Sequence, residues 1–290
     1  MIAVKASAEP WGALSATEPT LGGAEFRRIA AILYEDSGIH LPEGKASLVF
    51  SRLSKRLRRL GLRSFRDYCA LVSSPEGAPE RQAMLSALTT NVTRFFREPH
   101  HFGDLGRHFA DRWMEMARRG GRVRFWSAGC SSGEEAYSMA ITVLSAMPDA
   151  AGHDVKILAT DIDPLILERA RAGVYSAQSV EQRSPEQRDR WMRRRPEGDY
   201  AVAPEVRALV TFRELNLMAT WPMKGPFQAI FCRNVAIYFD EASQERLWGR
   251  FGAYLAADGR LYIGHSERVG DERFHSDGMT VYRLAGGGAA

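Results

Sequence analysis

Polar and apolar positions alternate with a helical period along the first third of the chain. Residues 24–37 carry such a pattern and stop at Gly38. Over residues 44–60, Val49, Leu53, Leu57 and Leu60 recur at spacings of four, four and three before Gly61. That is the stripe of an amphipathic helix closed by a glycine. Two shorter helices are predicted over 64–72 and 80–88, separated by a Ser/Pro/Gly-rich stretch. Beyond Arg122 the rhythm changes. Strand-like runs at 123–126, 155–160, 209–214, 227–232 and 259–264 alternate with helical runs ending at Met147 and covering 164–172 and 241–256. Residues 280–284 supply a closing strand. Strands alternating with helices predict an α/β fold with a doubly wound, mostly parallel sheet, preceded by an all-helical N-terminal domain.

The expected organisation is a disordered leader over 1–21, a helical domain over 22–88, a linker over 89–105 and an α/β domain over 106–290. One interval interrupts the alternation. Residues 175–206 are polar, rich in Arg and Glu, and contain Pro185, Pro196, Gly198 and Pro204. The stretch is too long for a simple connection, so it reads as an insertion with structure of its own.

Composition narrows the class. A content of 45% hydrophobic and 26% charged residues is ordinary for a globular protein, and no run of about 18 apolar residues offers a membrane span. The three cysteines show neither metal spacing nor an even framework, which fits a reducing compartment. The histidines form no ligand cluster in sequence. Adjacent His100 and His101 would point in different directions on a helix, and no metal is expected. The net charge of +4 is unevenly spread: residues 51–66 hold seven Lys/Arg and no acid. On a helix, Arg52, Arg56, Arg59 and Arg63 would share one face and offer a positive field to an acidic partner.

Four segments carry candidate chemistry. After the 123–126 strand, Gly129 and Gly133 frame a turn that runs straight into a helix, where a doubly wound fold binds its ligand. The same residues fit a capping box, Ser131 with Glu134 or Ser132 with Glu135. The spacing is not the G-x-G-x-x-G of nicotinamide enzymes. At the end of the next strand, Asp161 is placed to accept ribose hydroxyls, and Asp163, just before Pro164, to cap the following helix. The apolar 227–232 strand ends in Arg233-Asn234, with Tyr238 soon after. The 89–102 segment carries three phenylalanines and two arginines, unlike an ordinary polar linker.

Taken in order, TTNVTRFFREPHHF (89–102), SSGEEAYSMAI (131–141), ATDID (159–163), FCRNVAIYFD (231–240) and GHSE (264–267) closely resemble the chemotaxis receptor glutamate methyltransferases, the CheR family. The likeness runs from about residue 22 to the C-terminus. It implies an S-adenosylmethionine-dependent methyltransferase fold with a small antiparallel β subdomain at 175–206. The acceptors it implies are glutamate side chains in the acidic helical cytoplasmic region of chemotaxis receptors, and the setting is the cytoplasm. By the same resemblance, cofactor contacts fall on Asn91, Thr93, Arg97, Glu135, Asp161, Asn216, Leu217, Arg233 and Asn234, with Arg97 and Tyr238 nearest the transferring methyl. Cys130 and Ala236 depart from the family pattern without removing a polar contact. Some family members grip a receptor-tail peptide with the β subdomain; no motif for that is identifiable here. Two rival readings are a methyltransferase acting on nucleic acid and a non-catalytic protein that binds S-adenosylmethionine as a signal. Against the first, the strand-end motif lacks the Pro-Pro-aromatic sequence that holds a flipped base.

Overall fold

The computed structural model describes residues 19–181 and 185–286. Most of the leader expected over 1–21 (residues 1–18) lies outside the described residues. The chain divides into two compact units, the first ending at Thr90 and the second beginning at Asn91.

The first unit contains α1 (Gly23–Ser37), α2 (Ala46–Leu60), α3 (Phe65–Ser73) and α4 (Ala78–Leu88). Both α1 and α2 stop where the sequence places a glycine, because Gly38 and Gly61 take left-handed backbone angles (φ 74° and 68°) that cost a side-chain-bearing residue dearly. Ser64 caps α3 by accepting the Asp67 amide. The α2 stripe is buried at Val49, Leu53 and Leu57, whereas Leu60 is 40% exposed.

The basic face of α2 differs from expectation. Arg63 lies beyond the Gly61 cap and is not on the helix. Arg52 donates to the carbonyls of Ala87, Leu88 and Thr89 at 3.2, 2.9 and 2.7 Å, which satisfies the end of α4. Arg56 holds Glu80 through two bonds of 2.6 Å, and the Tyr68 hydroxyl donates to the same carboxylate at 2.8 Å. Glu80 is buried, so this pairing relieves what would otherwise be an uncompensated charge. Arg59 is the member of the expected quartet that stays exposed on the helix.

The second unit opens with α5 (Pro99–His108), a π-helical turn over Phe109–Trp113 and α6 (Met114–Arg118). This helical run, outside the predicted elements, buries Phe102, Leu105, Phe109, Trp113 and Ala117. Next come β1 (Val123–Ala128), α7 (Glu134–Ala146), β2 (Val155–Asp161) and α8 (Pro164–Ala172). An insertion follows: β3 (Val174–Tyr175), α9 (Ala177–Val180), α10 (Pro185–Trp191), β4 (Met192–Arg194), β5 (Tyr200–Val202) and α11 (Pro204–Arg207). The unit closes with β6 (Val210–Glu214), β7 (Phe227–Cys232), α12 (Glu241–Tyr254), β8 (Leu255–Ile263), β9 (Phe274–Ser276) and β10 (Val281–Leu284).

Seven strands form one sheet in the order β6-β2-β1-β7-β8-β10-β9, and three form another in the order β3-β5-β4. In the large sheet β6, β2, β1, β7 and β8 run parallel, while β10 is antiparallel to β8 and β9. The small sheet is antiparallel, as the resemblance implied for the insertion. Phe125 and Ile157 are register partners that join the core with Met139 and Val143 of α7. One residue along, Trp126 faces the other way and packs edge-on to Trp221 and Phe251, with centroids 4.8 and 5.2 Å apart. Both faces are therefore covered, which explains the near-continuous apolar runs of the parallel strands. Chain order moves outward from β1 through β2 to β6, then restarts at β7 and moves the other way. The crevice at the carboxyl ends of β1 and β7 is such a fold's switch point. Among the described residues no helix is long and apolar enough to cross a membrane.

Candidate active site

The turn after β1 is shaped by packing as much as by any ligand. Gly129 and Gly133 sit at φ 88° and 98°. A Cβ on Gly129 would lie 2.4 Å from Val235, and one on Gly133 would lie 3.0 Å from both Ala170 and the Tyr175 hydroxyl. The glycines thus let the loop after β7 and the inserted β3 close onto the turn. The Tyr175 hydroxyl donates to the Ser132 carbonyl at 2.6 Å, so the insertion buttresses the site. The expected capping box does not form. Gly133 occupies the N-cap of α7 without a side-chain bond; Ser132 donates to Glu134 at 2.6 Å and Ser127 to Glu135 at 2.7 Å.

Of the two aspartates, Asp163 takes the capping role its position suggests, and Asp161 is held by backbone amides. Asp163 caps α8 by accepting the Leu165 amide at 3.0 Å. Asp161 is 8% exposed and accepts the Ser131 amide at 2.8 Å and the Asp163 amide at 3.1 Å, one on each oxygen. A carboxylate has about four lone-pair sites, so acceptor capacity remains for a pair of hydroxyls. Burial raises the Asp161 pKa despite these amides.

A second cluster links the 91–97 segment to the tip of β7. Arg233, its side chain 2% exposed, lies 3.2 Å from both Glu98 and Glu135 and donates to the Arg97 carbonyl. Its guanidinium also lies over Phe102 and Phe231, 5.6 and 5.9 Å from their ring centroids. Burial raises the Glu135 pKa, while Arg233 and the Ser127 hydroxyl favour its ionised form. Burial also works to raise Glu98, but the bond to His265 and the charge of Arg233 outweigh it and hold Glu98 below the usual range. Phe96 and Glu98, on either side of Arg97, have left-handed backbone angles (φ 51° and 55°), a strained arrangement for residues with side chains. It is anchored by Phe95, buried against Tyr175 at 4.9 Å, and by Phe96 against Phe102 at 5.1 Å. Arg97 itself donates to the Val92 carbonyl at 3.0 Å, which leaves further donors on the same guanidinium.

Of the other residues expected to bind cofactor, Asn91 donates to Asp163 at 3.3 Å, and its carbonyl accepts the Ser131 hydroxyl at 3.3 Å. Asn216 and Leu217 follow β6 at the same end of the sheet, and the Leu217 carbonyl accepts from Arg250 at 2.7 Å. Thr93 is half-buried. Asn234 has φ 58°. Tyr238 ends a short 3-10 turn, half-buried; no hydrogen bond links it to Arg97. The described structure thus gathers Asn91, Asp161, Arg97, Glu135 and Arg233 into bonded clusters, while Thr93, Asn216, Leu217 and Tyr238 lie on adjoining segments.

Two features escaped the sequence reading. Glu267, 5% exposed, accepts amides from Asn234 (2.8 Å), Val235 (2.9 Å), Ile237 (3.3 Å) and Gly264 (2.5 Å). The loop carrying Asn234 and Tyr238 hangs on this one carboxylate. The other feature corrects the view that the histidines form no cluster: Glu98, His100 and His101 bring ligand atoms within 4.8 Å of one another. The Arg233 guanidinium beside the same Glu98 oxygen opposes a cation there.

Comparison with known proteins decides the family. The "CheR methyltransferase, SAM binding domain" description matches residues 91–283, and the "CheR methyltransferase, all-alpha domain" description matches residues 24–89. The chain belongs to the CheR methyltransferase family. A "Probable chemotaxis protein methyltransferase" of Rhizobium etli is 55% identical over 258 residues, 87% of this chain and 96% of the relative. The "Chemotaxis protein methyltransferase" of Escherichia coli K12 is 42% identical, covering 91% of this chain and 92% of the relative. The "Chemotaxis protein methyltransferase 2" of Pseudomonas aeruginosa is 43% identical, covering 90% and 93%. A CheR methyltransferase binds S-adenosylmethionine, and the acceptor capacity left on buried Asp161 fits the hydroxyls of that nucleoside.

Proposed function

We propose that this CheR-family protein transfers a methyl group from S-adenosylmethionine to glutamate side chains of a chemotaxis receptor, leaving methyl esters and S-adenosylhomocysteine. The observation that carries the reading is the Arg233 clamp. It ties the backbone of Arg97 to Glu135 in the first turn of α7, so a cation for the acceptor and the cofactor side of the site are held as one piece. Asn91, Thr93, Asp161, Asn216, Leu217 and Asn234 complete the cofactor pocket in this reading.

When bound, the cofactor supplies an electrophilic sulfonium methyl, which an acceptor carboxylate takes in line with no proton to remove. A glutamate is ionised near neutrality, its reference pKa being about 4.3, so no general base is needed. The protein's task is orientation. Arg97 pairs with the incoming carboxylate through its free donors. The Tyr238 hydroxyl, which has no hydrogen-bond partner among the described residues, donates to the same group. The exposed cations Arg59 and Arg63, with Lys55, Arg58 and Arg66, offer the acidic receptor helices a complementary surface; Arg52 and Arg56 hold that surface in shape. The reading places the enzyme in the cytoplasm, consistent with Cys69, Cys130 and Cys232 all being free.

The test is incubation with methyl-labelled S-adenosylmethionine and a receptor cytoplasmic fragment. Base-labile label on the receptor is expected, with turnover falling at least tenfold in Arg97→Ala and clearly in Tyr238→Phe. Transfer to nucleic acid in place of the receptor would overturn the acceptor. Wild-type turnover in both variants would overturn the roles of Arg97 and Tyr238.

A further inference from the structure

The candidate active site occupies the carboxyl ends of β1, β2 and β7. At the amino ends of the same strands lies a cavity of about 240 Å³, lined by Arg122, Arg124, Lys156, Thr211, Met223 and Lys224 among others. Arg124 and Lys156 are register partners on neighbouring parallel strands, so their side chains leave the same face side by side. The Arg124 guanidinium is fixed by Asp154, through its carboxylate at 2.5 Å and its carbonyl at 2.7 Å. Arg122, Lys156 and Lys224 have no ion-pair partner among the described residues. Asp154 is already engaged by Arg124. Several cations thus converge on one concavity without a counter-charge, an arrangement that repels itself and attracts anions. Thr211 adds a hydroxyl, and Met223 and Leu158 give one apolar wall.

Size and shape select the ligand. The cavity is smaller than the roughly 300–1,000 Å³ of pockets that enclose a drug-sized molecule. It is also a compact concavity, unlike the extended basic stripe that follows a nucleic-acid backbone. We propose that it binds a small polyphosphate anion of the size of inorganic pyrophosphate, with Arg122, Lys156 and Lys224 on the phosphate oxygens. The site is separate from the methyl-transfer site and stands whether or not the acceptor proposed above is correct.

Isothermal titration of the full chain, first saturated with S-adenosylhomocysteine so that its nucleoside pocket is filled, tests this. ADP and inorganic pyrophosphate are the probes, at low and at physiological salt. Saturable binding of pyrophosphate is expected, with ADP no tighter, weakening with salt and at least tenfold weaker in Lys156→Ala/Lys224→Ala, and in Arg122→Glu as an independent variant. S-adenosylhomocysteine affinity should be unchanged in these variants, which shows that they remain folded. No saturable heat with either probe, or undiminished binding in the variants, overturns the site. Binding of ADP more tightly than pyrophosphate overturns the assignment to a bare polyphosphate, as does duplex DNA that competes more tightly than pyrophosphate.

Discussion

Glu267 offers the sharpest test of how the site is held. Its two carboxylate oxygens take four backbone amides, two each, from the loop after β7 and the end of neighbouring β8. The loop contains Asn234 in a left-handed conformation at φ 58°, one that asparagine tolerates better than other residues with side chains. Replacing Glu267 by Ala leaves those amides facing a void. Each buried amide left unpaired costs about 1–3 kcal/mol. The 3.3 Å bond to Ile237 is weak, and the effects are not additive, so the total should be about 3–5 kcal/mol. Glu267→Gln keeps one acceptor oxygen but turns an amino group toward the remaining amides, so about half that loss is expected. In a unit of this size the Ala change lowers the melting temperature by roughly 6–20 °C. The assay is urea denaturation of both variants beside steady-state methyl transfer. At a temperature where the variant is still folded, turnover should drop by about a hundredfold through lost positioning of Asn234 and Tyr238, with cofactor affinity changing less. An Ala variant matching wild type in stability and in turnover would refute the reasoning.

Three further outcomes follow from the geometry. Asp161→Ala should abolish measurable S-adenosylhomocysteine binding by calorimetry, and retained affinity would remove Asp161 from the nucleoside pocket. His101 is fully buried, and burial, with Arg233 nearby, depresses its pKa to about 4 from an unfolded value of about 6.5. The folded state therefore binds fewer protons, so stability is intact above pH 6.5 and falls by ~3 kcal/mol as pH drops through that window. Urea titrations should show a shallower decline in His101→Gln, and identical slopes would count against it. Arg56→Ala should destabilise the helical unit by about 3–5 kcal/mol by stranding buried Glu80. Arg59→Glu should leave stability within about 0.5 kcal/mol but raise the Michaelis constant for receptor; denaturation and kinetics together separate the two.

The strands and helices around the site were legible because their patterns are local. The apolar 227–232 run matches β7 at both ends, and 164–172 matches α8. The α12–β8 boundary was not. Helix was expected to residue 256, but the backbone turns extended at Leu255, where pairing with Phe227 of β7 takes over. The helical run from Pro99 had its signal in Phe102, Leu105, Phe109 and Trp113 at helical spacing. The capping box does not form because both serines bond elsewhere: Ser131 to the distant Asn91 carbonyl and Ser132 to Glu134, two positions on.

By itself the sequence determined which residues could be buried, where glycine had to end a helix, and which ordered motifs mark the family. These depend on chemistry within a few positions of each residue. Only the tertiary structure decided that Arg233 would join Glu98 to Glu135, that Arg56 would serve Glu80 rather than a partner, and that Glu267 would carry the loop after β7. Each is a charge whose role depends on which distant group the fold brings within about 3 Å. A burial that makes such a charge costly unless paired cannot be read from its neighbours in the chain.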